Sequence, residues 1–232
     1  MLQHQLSIGE DKETIYRFPC EPVDSNMYFI HSGDTGIVFD PNENDELLFL
    51  FEKYGTKQIV IVLTHEHYDH TNGATWLQSR INNRLFCQKY CAKVISTERG
   101  NSPKLVSLIL SLKDAEDGGH RYLDFKSKYR KYILKADETF EEEATIRVDK
   151  LELECYHKPG HSPGSAIYLL NKKYVFTGDS LIQNTPTILR FPDSDKNQYE
   201  KITRPFLKSL DKNMLVFPGH GEPFKISESK YL

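Results

Sequence analysis

The chain has 232 residues, 38% of them hydrophobic and 12% aromatic, with a formal net charge of −3. That length and apolar content suffice for a sizeable core, while the near-neutral charge gives no reason to expect a nucleic acid partner. No apolar run reaches the roughly 18–20 residues of a membrane span, and the opening MLQHQLSIGEDKE lacks the basic and apolar regions of a secretory signal. The four cysteines, Cys20, Cys87, Cys91 and Cys155, form no C-x-x-C pair, and they read as reduced thiols. The expectation is a cytoplasmic protein that acts on a small-molecule substrate, with its oligomeric state left open.

In chain order, NMYFIH, the turn SGDTG and IVFDPNEN predict two short strands, the second stopped at Asp40-Pro41 because proline cannot donate to a ladder. DELLFLFEKYG has helical spacing and ends at Gly55, a residue suited to a helix C-cap. QIVIVL (58–63) is β-branched and apolar without alternation, as in a strand covered on both faces. TNGATWLQSRINN predicts a helix, RLFCQ a short strand and KYCAKVIS a short helix. The second half repeats the rhythm: KLELECYHKPGHSPG is a strand entering a Pro/Gly loop, and SAIYLLNKKYVFTGD is a hairpin with Asn171-Lys172 near its turn. NQYEKITRPFLKSL is helical in pattern, with an interruption expected at Pro205, and MLVFPGHGEP is again an apolar strand running into a loop.

Residues 96–143 break this rhythm and predict a helical insertion in a single domain covering 1–232. Within HRYLDFKSKYRKYILK, Tyr122, Phe125, Tyr129 and Tyr132 recur as one stripe of an amphipathic helix. The lysines and arginines around them form a solvated face that the acidic run 137–143 can neutralise. The rival reading is a basic, aromatic lid over an anionic substrate. In either case the insertion is expected to border the substrate.

The stretch THEHYDH (64–70) places three histidines and an aspartate directly after an apolar strand. His161 in KPGHSPGS, Asp179 in VFTGD and His220 in FPGHGEP sit at the ends of other strands, where open α/β sheets commonly place their ligands. Desolvated carboxylates and imidazoles packed together are costly without partners, and a cation supplies one. Imidazole and carboxylate donors without thiolate suit Zn²⁺, Mn²⁺ or Fe²⁺ rather than a structural cysteine site. In His65-Glu66-His67, the alternation of an extended loop turns both imidazoles to one side. His65, His67, Asp69, His70, His161, Asp179 and His220 exceed what one tetrahedral ion needs, so two divalent ions are expected, zinc first. His4, His31, His120 and His157 lack such a context and read as structural or solvent-exposed, as do Tyr28, Tyr68, Tyr168 and Ser180 near the motifs.

THEHYDH, PGHSPGS, FTGDS and FPGHG, in this order and spacing, resemble the ligand motifs of the metallo-β-lactamase superfamily, and most closely its glyoxalase II-like hydrolase branch. The resemblance implies an α/β (α+β) fold, a four-layer αββα sandwich of two mixed β-sheets flanked by helices. By the same resemblance His65, His67 and His161 would hold a first metal, Asp69, His70 and His220 a second, and Asp179 would bridge them. Only 12 residues follow His220, whereas glyoxalase II adds a helical region there that helps hold glutathione.

The resulting expectation is a dinuclear metal-dependent hydrolase whose metal-bridging hydroxide attacks an ester, thioester, lactone or phosphodiester. Asp69 would be the catalytic group that orients the nucleophile and passes a proton to the leaving group. The alternative is a persulfide dioxygenase on the same fold, with one non-haem iron held by His65, His161 and Asp179. A non-catalytic metal-binding scaffold is a third reading, against which stands a complete ligand set aimed from separate loops.

Overall fold

The computed structural model describes residues 5–7, 14–98 and 100–232; His4 lies outside them. The first sheet runs in sequence order: β1 (Gln5–Ser7), β2 (Thr14–Cys20), β3 (Ser25–Ser32), β4 (Thr35–Phe39), β5 (Gln58–Val62), β6 (Asn82–Gln88) and β7 (Glu138–Phe140). Its first ladders, through β4, are antiparallel, and those from β4 to β7 are parallel. Antiparallel neighbours need only a tight turn, whereas parallel ones need a crossover, usually helical. Gly33, at φ 59°, makes the turn between β3 and β4.

The crossovers carry α1 (Asp45–Tyr54), then α2 (Tyr68–Thr71) with α3 (Ala74–Gln78), then α4 (Lys89–Ile95), α5 (Lys104–Asp117) and α6 (Arg121–Lys128). The Asn44 side chain caps α1 by accepting from Glu46 N, and Gly55 ends it in the left-handed region at φ 64°.

The second sheet has the order β13-β12-β11-β10-β9-β8. Its strands are β8 (Glu143–Val148), β9 (Leu151–His157), β10 (Ala166–Leu170), β11 (Tyr174–Gly178), β12 (Leu215–Pro218) and β13 (Phe224–Lys225). Asn171 and Lys172, both at positive φ, form the centre of a turn closed by Lys173 N donating to the Leu170 carbonyl, within the three-residue connection of the β10–β11 hairpin. β11 and β12 are parallel. Their crossover holds α7 (Lys196–Gln198), a π-helical turn (Tyr199–Thr203) and α8 (Arg204–Ser209).

Hydrophobic side chains alternate between two buried faces, which makes four layers. Tyr28, Phe39, Val60, Val62 and Phe86 of the first sheet meet Leu153, Tyr168, Phe176 and Phe217 of the second. On the outer face of the first sheet, Phe29, Ile59, Ile61 and Leu85 pack against Leu47, Leu50, Leu77, Cys91 and Ile95 of the helices. On the outer face of the second, Ile167, Val175 and Val216 pack under Leu207 of α8. The expected four-layer αββα sandwich of two mixed sheets is the observed architecture. All four cysteines are buried and free, and among the described residues no helix is long and apolar enough to cross a membrane.

Three local expectations are corrected, and a fourth takes a specific form. The helix read over TNGATWLQSRINN starts earlier, at Tyr68 inside the histidine motif, is broken at Asn72-Gly73, and ends at Gln78 so that Asn82 can open β6. The interruption expected at Pro205 is present: a π turn, Tyr199–Thr203, divides the helical run into α7 and α8 directly before the proline, which then takes an early position in α8. The aromatic helix runs only over α6: beyond Lys128 the chain is extended, and Tyr132 reaches the same cluster from a non-helical segment. The acidic run does not neutralise that helix. Glu138 pairs with Arg84 and Glu141 with Lys89, while Arg121 is held within its own segment by Asp114 and Asp117. The interval 96–143 is therefore helical only over α5 and α6; β7 belongs to the first sheet.

Candidate metal centre

Loops at the C-terminal ends of β5, β9, β11 and β12 bring all seven candidate ligands together. β5 ends at Val62 and the chain bends at Thr64 and Glu66, with His65 and His67 turned toward one another and Glu66 turned to the loop that carries His161. His65 Nε2 and His161 Nε2 each lie 3.0 Å from His67 Nδ1. On the other side Asp69 Oδ2 lies 3.3 Å from His220 Nε2 and 3.5 Å from His70 Nε2. Two groups thus form, His65/His67/His161 and Asp69/His70/His220, each with donor atoms within 4.8 Å of one another. Asp179 stands between them: Oδ2 is 3.6 Å from His161 Nε2 and 3.5 Å from His220 Nε2, and Oδ1 is 3.5 Å from His70 Nε2.

The nitrogens that face away from the centre are nearly all held. His65 Nδ1 meets Thr64 Oγ1 at 3.0 Å, His70 Nδ1 meets Asp40 Oδ2 at 2.9 Å, His161 Nδ1 meets the Ile188 carbonyl at 3.1 Å, and His220 Nδ1 meets the Val23 carbonyl at 3.1 Å. An acceptor on Nδ1 fixes the proton there and leaves Nε2 bare toward the centre, the arrangement metal-binding imidazoles need. His70 Nε2 and Asp179 Oδ1 are buried without a hydrogen bond, a state that costs free energy unless a cation completes it. The donor set of imidazole and carboxylate, without thiolate, therefore fits divalent cations.

Electrostatics divide the two groups. Burial, reinforced by the neighbouring imidazoles, pushes His65 well below the usual histidine value. Burial and His161 push His67 down to about 3, and burial lowers His161. Burial also opposes protonation of His70, but Asp69, Asp179 and Asp40 overcome it and raise the imidazole to about 10. His220 is raised against burial by Asp179 and Asp69. Burial favours the neutral acid at Asp69 and Asp179, yet the surrounding imidazoles hold both below the ordinary carboxylate range.

Two site residues were not singled out from the sequence. Asp40, at the end of β4, accepts from Thr64 N at 2.7 Å and Thr64 Oγ1 at 2.6 Å as well as from His70. Asp40, His65 and His70 also have donor atoms close enough to hold an ion, but the Asp40 oxygens are spent on these bonds, so it acts as an orienting acceptor. Its signal was the aspartate ending an apolar strand, read only as a strand stop. Glu66 accepts from Ser162 Oγ at 3.0 Å and Gly164 N at 3.1 Å and so ties the first motif to the loop carrying His161. Its position opposite the two imidazoles followed from alternation. Glycine is required at Gly219, where an added Cβ would collide with Asp179 Oδ1 and His70 Cε1.

The remaining candidates serve the scaffold. Tyr28 OH donates to the Pro218 carbonyl at 2.7 Å and Tyr168 OH to that of Leu63 at 2.7 Å. His31 stacks on Tyr54, and His157 Nε2 meets the Pro163 carbonyl. Tyr68 packs on Phe125, Tyr129 and Tyr132, so the aromatic stripe is core rather than lid. The centre opens into a cleft of about 670 Å³ bordered by α5 and by the loop after Asp179.

A family model described as the metallo-beta-lactamase superfamily matches residues 20–220. A probable metallo-hydrolase, YqgX of Bacillus subtilis, is 25% identical over 209 residues, covering 88% of this chain and 89% of its own. The hydroxyacylglutathione hydrolase GloC of Haemophilus influenzae is 27% identical over 197 residues, covering 83% of each chain. Among solved structures, the BLEG-1 B3 metallo-beta-lactamase superposes with a TM-score of 0.72 at 21% identity, covering 92% of this chain and 95% of that one.

Proposed function

This chain belongs to the metallo-β-lactamase superfamily, and from that premise we propose that it is a dinuclear metal-dependent hydrolase of an ester, thioester, lactone or phosphodiester. His65, His67 and His161 would hold one divalent cation, Asp69, His70 and His220 the other, and Asp179 would serve both, with zinc the first expectation. The observation that carries this reading is the position of Asp179, within 3.6 Å of imidazoles from both groups. Bound divalent cations supply an activated water at neutral pH and polarise the oxygen of the scissile group.

The chain's own residues supply the rest. The backbone and side-chain acceptors on four of the imidazoles hold the ligand set rigid before substrate arrives, so no reorganisation is needed during reaction. Asp69, ionised at neutral pH, is the acceptor for the proton of the attacking water and returns it to the leaving oxygen or sulfur. Its main-chain carbonyl is fixed by Ser25 Oγ at 2.9 Å and Asn42 Nδ2 at 3.2 Å, which sets where that carboxylate points.

The test is metal content per chain, by inductively coupled plasma mass spectrometry, on protein purified without added metal, followed by an ester, thioester and phosphodiester screen. About two equivalents of zinc or manganese with hydrolysis is the expected result. A single equivalent of iron with oxygen uptake on persulfides would overturn it in favour of a dioxygenase. Asp179→Ala is expected to abolish loading of the pair.

A further inference from the structure

We propose, building on the hydrolase reading above, that the cleft selects neutral acyl compounds with an extended apolar acyl chain, and that α5 is the element that selects them. One part of the cleft is the metal centre itself, with His67, Asp69, Asp179 and His220 on its wall. Elsewhere the wall is mixed: Leu105, Val106 and Ile109 of α5 with Ile182, Ile188 and Phe191 of the loop after Asp179 supply its apolar part, and Gln183, Asn184 and Thr185 of that loop a neutral polar part. Phe191 joins the two parts. Its ring packs edge to face on His67 at 5.7 Å and on His161 at 5.8 Å, so the apolar wall begins at the ligand imidazoles.

The placement of α5 explains why these side chains remain open. Val106 and Leu110 anchor the helix against Val23, Tyr68 and Phe125. Leu105, Ile109 and Lys113, one helical turn apart, are left as a stripe along the cleft, about 12 Å long at 1.5 Å per residue. Leu105 and Ile109 are only partly buried, so an apolar chain laid along them removes both partners from water.

Charge separates this class from the polyanionic alternatives. Lys113 is the one cation on the cleft wall among the described residues, and Glu222 stands on the same wall, paired to Arg17. The proposed metal pair would itself meet one anionic group, but the charges of a polyanion or a multiply charged peptide thioester that lie beyond it call for further cations or bidentate arginines. A long neutral acyl group asks only for the apolar wall that is present.

The experiment uses the zinc-loaded full chain with p-nitrophenyl esters from acetyl to octanoyl, and the metal-free chain with acetamide, butanamide and octanamide in calorimetry. Expected is a rise in kcat/KM of roughly three- to four-fold per added methylene, and octanamide binding that strengthens with the same slope without metal. Ile109→Asp is expected to cut the octanoyl-to-acetyl ratio, and octanamide affinity, at least about tenfold. Phe191→Ala, on the opposite wall, is expected to act in the same direction, so the outcome does not hang on one variant folding. Ester cleavage with a flat chain-length profile, or octanamide binding indifferent to both substitutions, overturns the acyl proposal. Two bound metals with no cleavage of any ester overturns the hydrolase reading, whatever octanamide does.

Discussion

Asp40 holds one imidazole of each ligand group, and replacing it by asparagine tests whether the orientation of the centre resides in that single carboxylate. In the native protein Asp40 Oδ2 receives Thr64 Oγ1–H and His70 Nδ1–H, and Oδ1 receives Thr64 N–H. Because Thr64 Oγ1 spends its proton on Asp40, it accepts from His65 Nδ1. Both imidazoles therefore keep Nε2 bare. Asparagine preserves shape, tolerates the positive φ of 47° at this position, and can still accept from Thr64 N with its oxygen. Its amide nitrogen then occupies the Oδ2 position and donates. Thr64 Oγ1 becomes an acceptor from Asn and a donor to His65 Nδ1, and His70 Nδ1 must accept as well. In both rings the proton moves to Nε2, the atom that faces the centre.

Loss of such a supporting partner weakens metal affinity about 10–100-fold, or roughly 1.4–2.8 kcal/mol. For Asp40→Asn that loss is expected at both sites, since His65 and His70 belong to different groups. Thr64→Val breaks only the relay to His65 and is expected to weaken the first site alone. Stepwise zinc dissociation constants from competition with a chromogenic chelator at pH 7.5 measure both, with far-ultraviolet circular dichroism to confirm folding. A folded Asp40→Asn protein that binds two ions as tightly as the wild type would refute the relay.

Protons should mark the difference between the two groups. His65, His67 and His161 are lowered and so neutral at pH 7.5, and filling their site releases almost no protons, whereas His70, raised to about 10, must give one up and His220, raised in the same direction, adds to that release; calorimetry in buffers of different ionisation enthalpy reads the number, and equal release at both steps contradicts the assignment. In the metal-free protein the depressed histidines contribute stability that is complete above their unfolded value near 6.5 and is lost as pH falls toward the folded value, about 3 for His67. His70 acts in the opposite sense: its contribution is complete below about 6.5 and fades as pH rises through about 10. Urea midpoints of the metal-free chain should accordingly fall below pH 6 and above pH 8; a flat profile speaks against both shifts. Glu66→Ala strands Gly164 N and leaves Ser162 Oγ with Ser165 Oγ as its partner, with an expected stability loss of about 1–3 kcal/mol by urea unfolding, and an unchanged midpoint contradicts the tie. Gly219→Ala should displace Asp179 and His70 and cost roughly one metal equivalent per chain; full loading would show that the loop can give way.

The ligands were legible because each is fixed by its neighbours in sequence. A strand that runs into a histidine or aspartate places that side chain near the strand's end whatever the rest of the chain does; His65, His161, Asp179 and His220 follow this after β5, β9, β11 and β12, and Asp69 and His70 come next to His65 and His67 on α2. Alternation in His65-Glu66-His67 likewise fixes which side chains face the same way. Asp40 carried the same signal, an apolar strand ending in aspartate, but its partners lie 24 and 30 residues away, and no local pattern distinguishes an orienting carboxylate from a strand stop.

The cleft wall was less legible for a related reason. KLVSLILSL has apolar residues at helical spacing, yet spacing alone does not say which of them face Tyr68 and which face the metal centre. That division is made by packing, when Val106 and Leu110 bury against Val23 and Phe125, Ile109 packs on the edge of that cluster while still lining the cleft, and Leu105 is left to the cleft alone. The same packing ends α6 at Lys128 without glycine or proline, and turns Tyr132 into the cluster from an extended segment. Chemistry that a cation imposes on a few atoms at strand ends is thus written locally. The shape that decides which substrate reaches them is written in contacts between α5, the loop after β11 and the aromatic cluster beneath, and changes in those segments alter specificity while the centre stays intact.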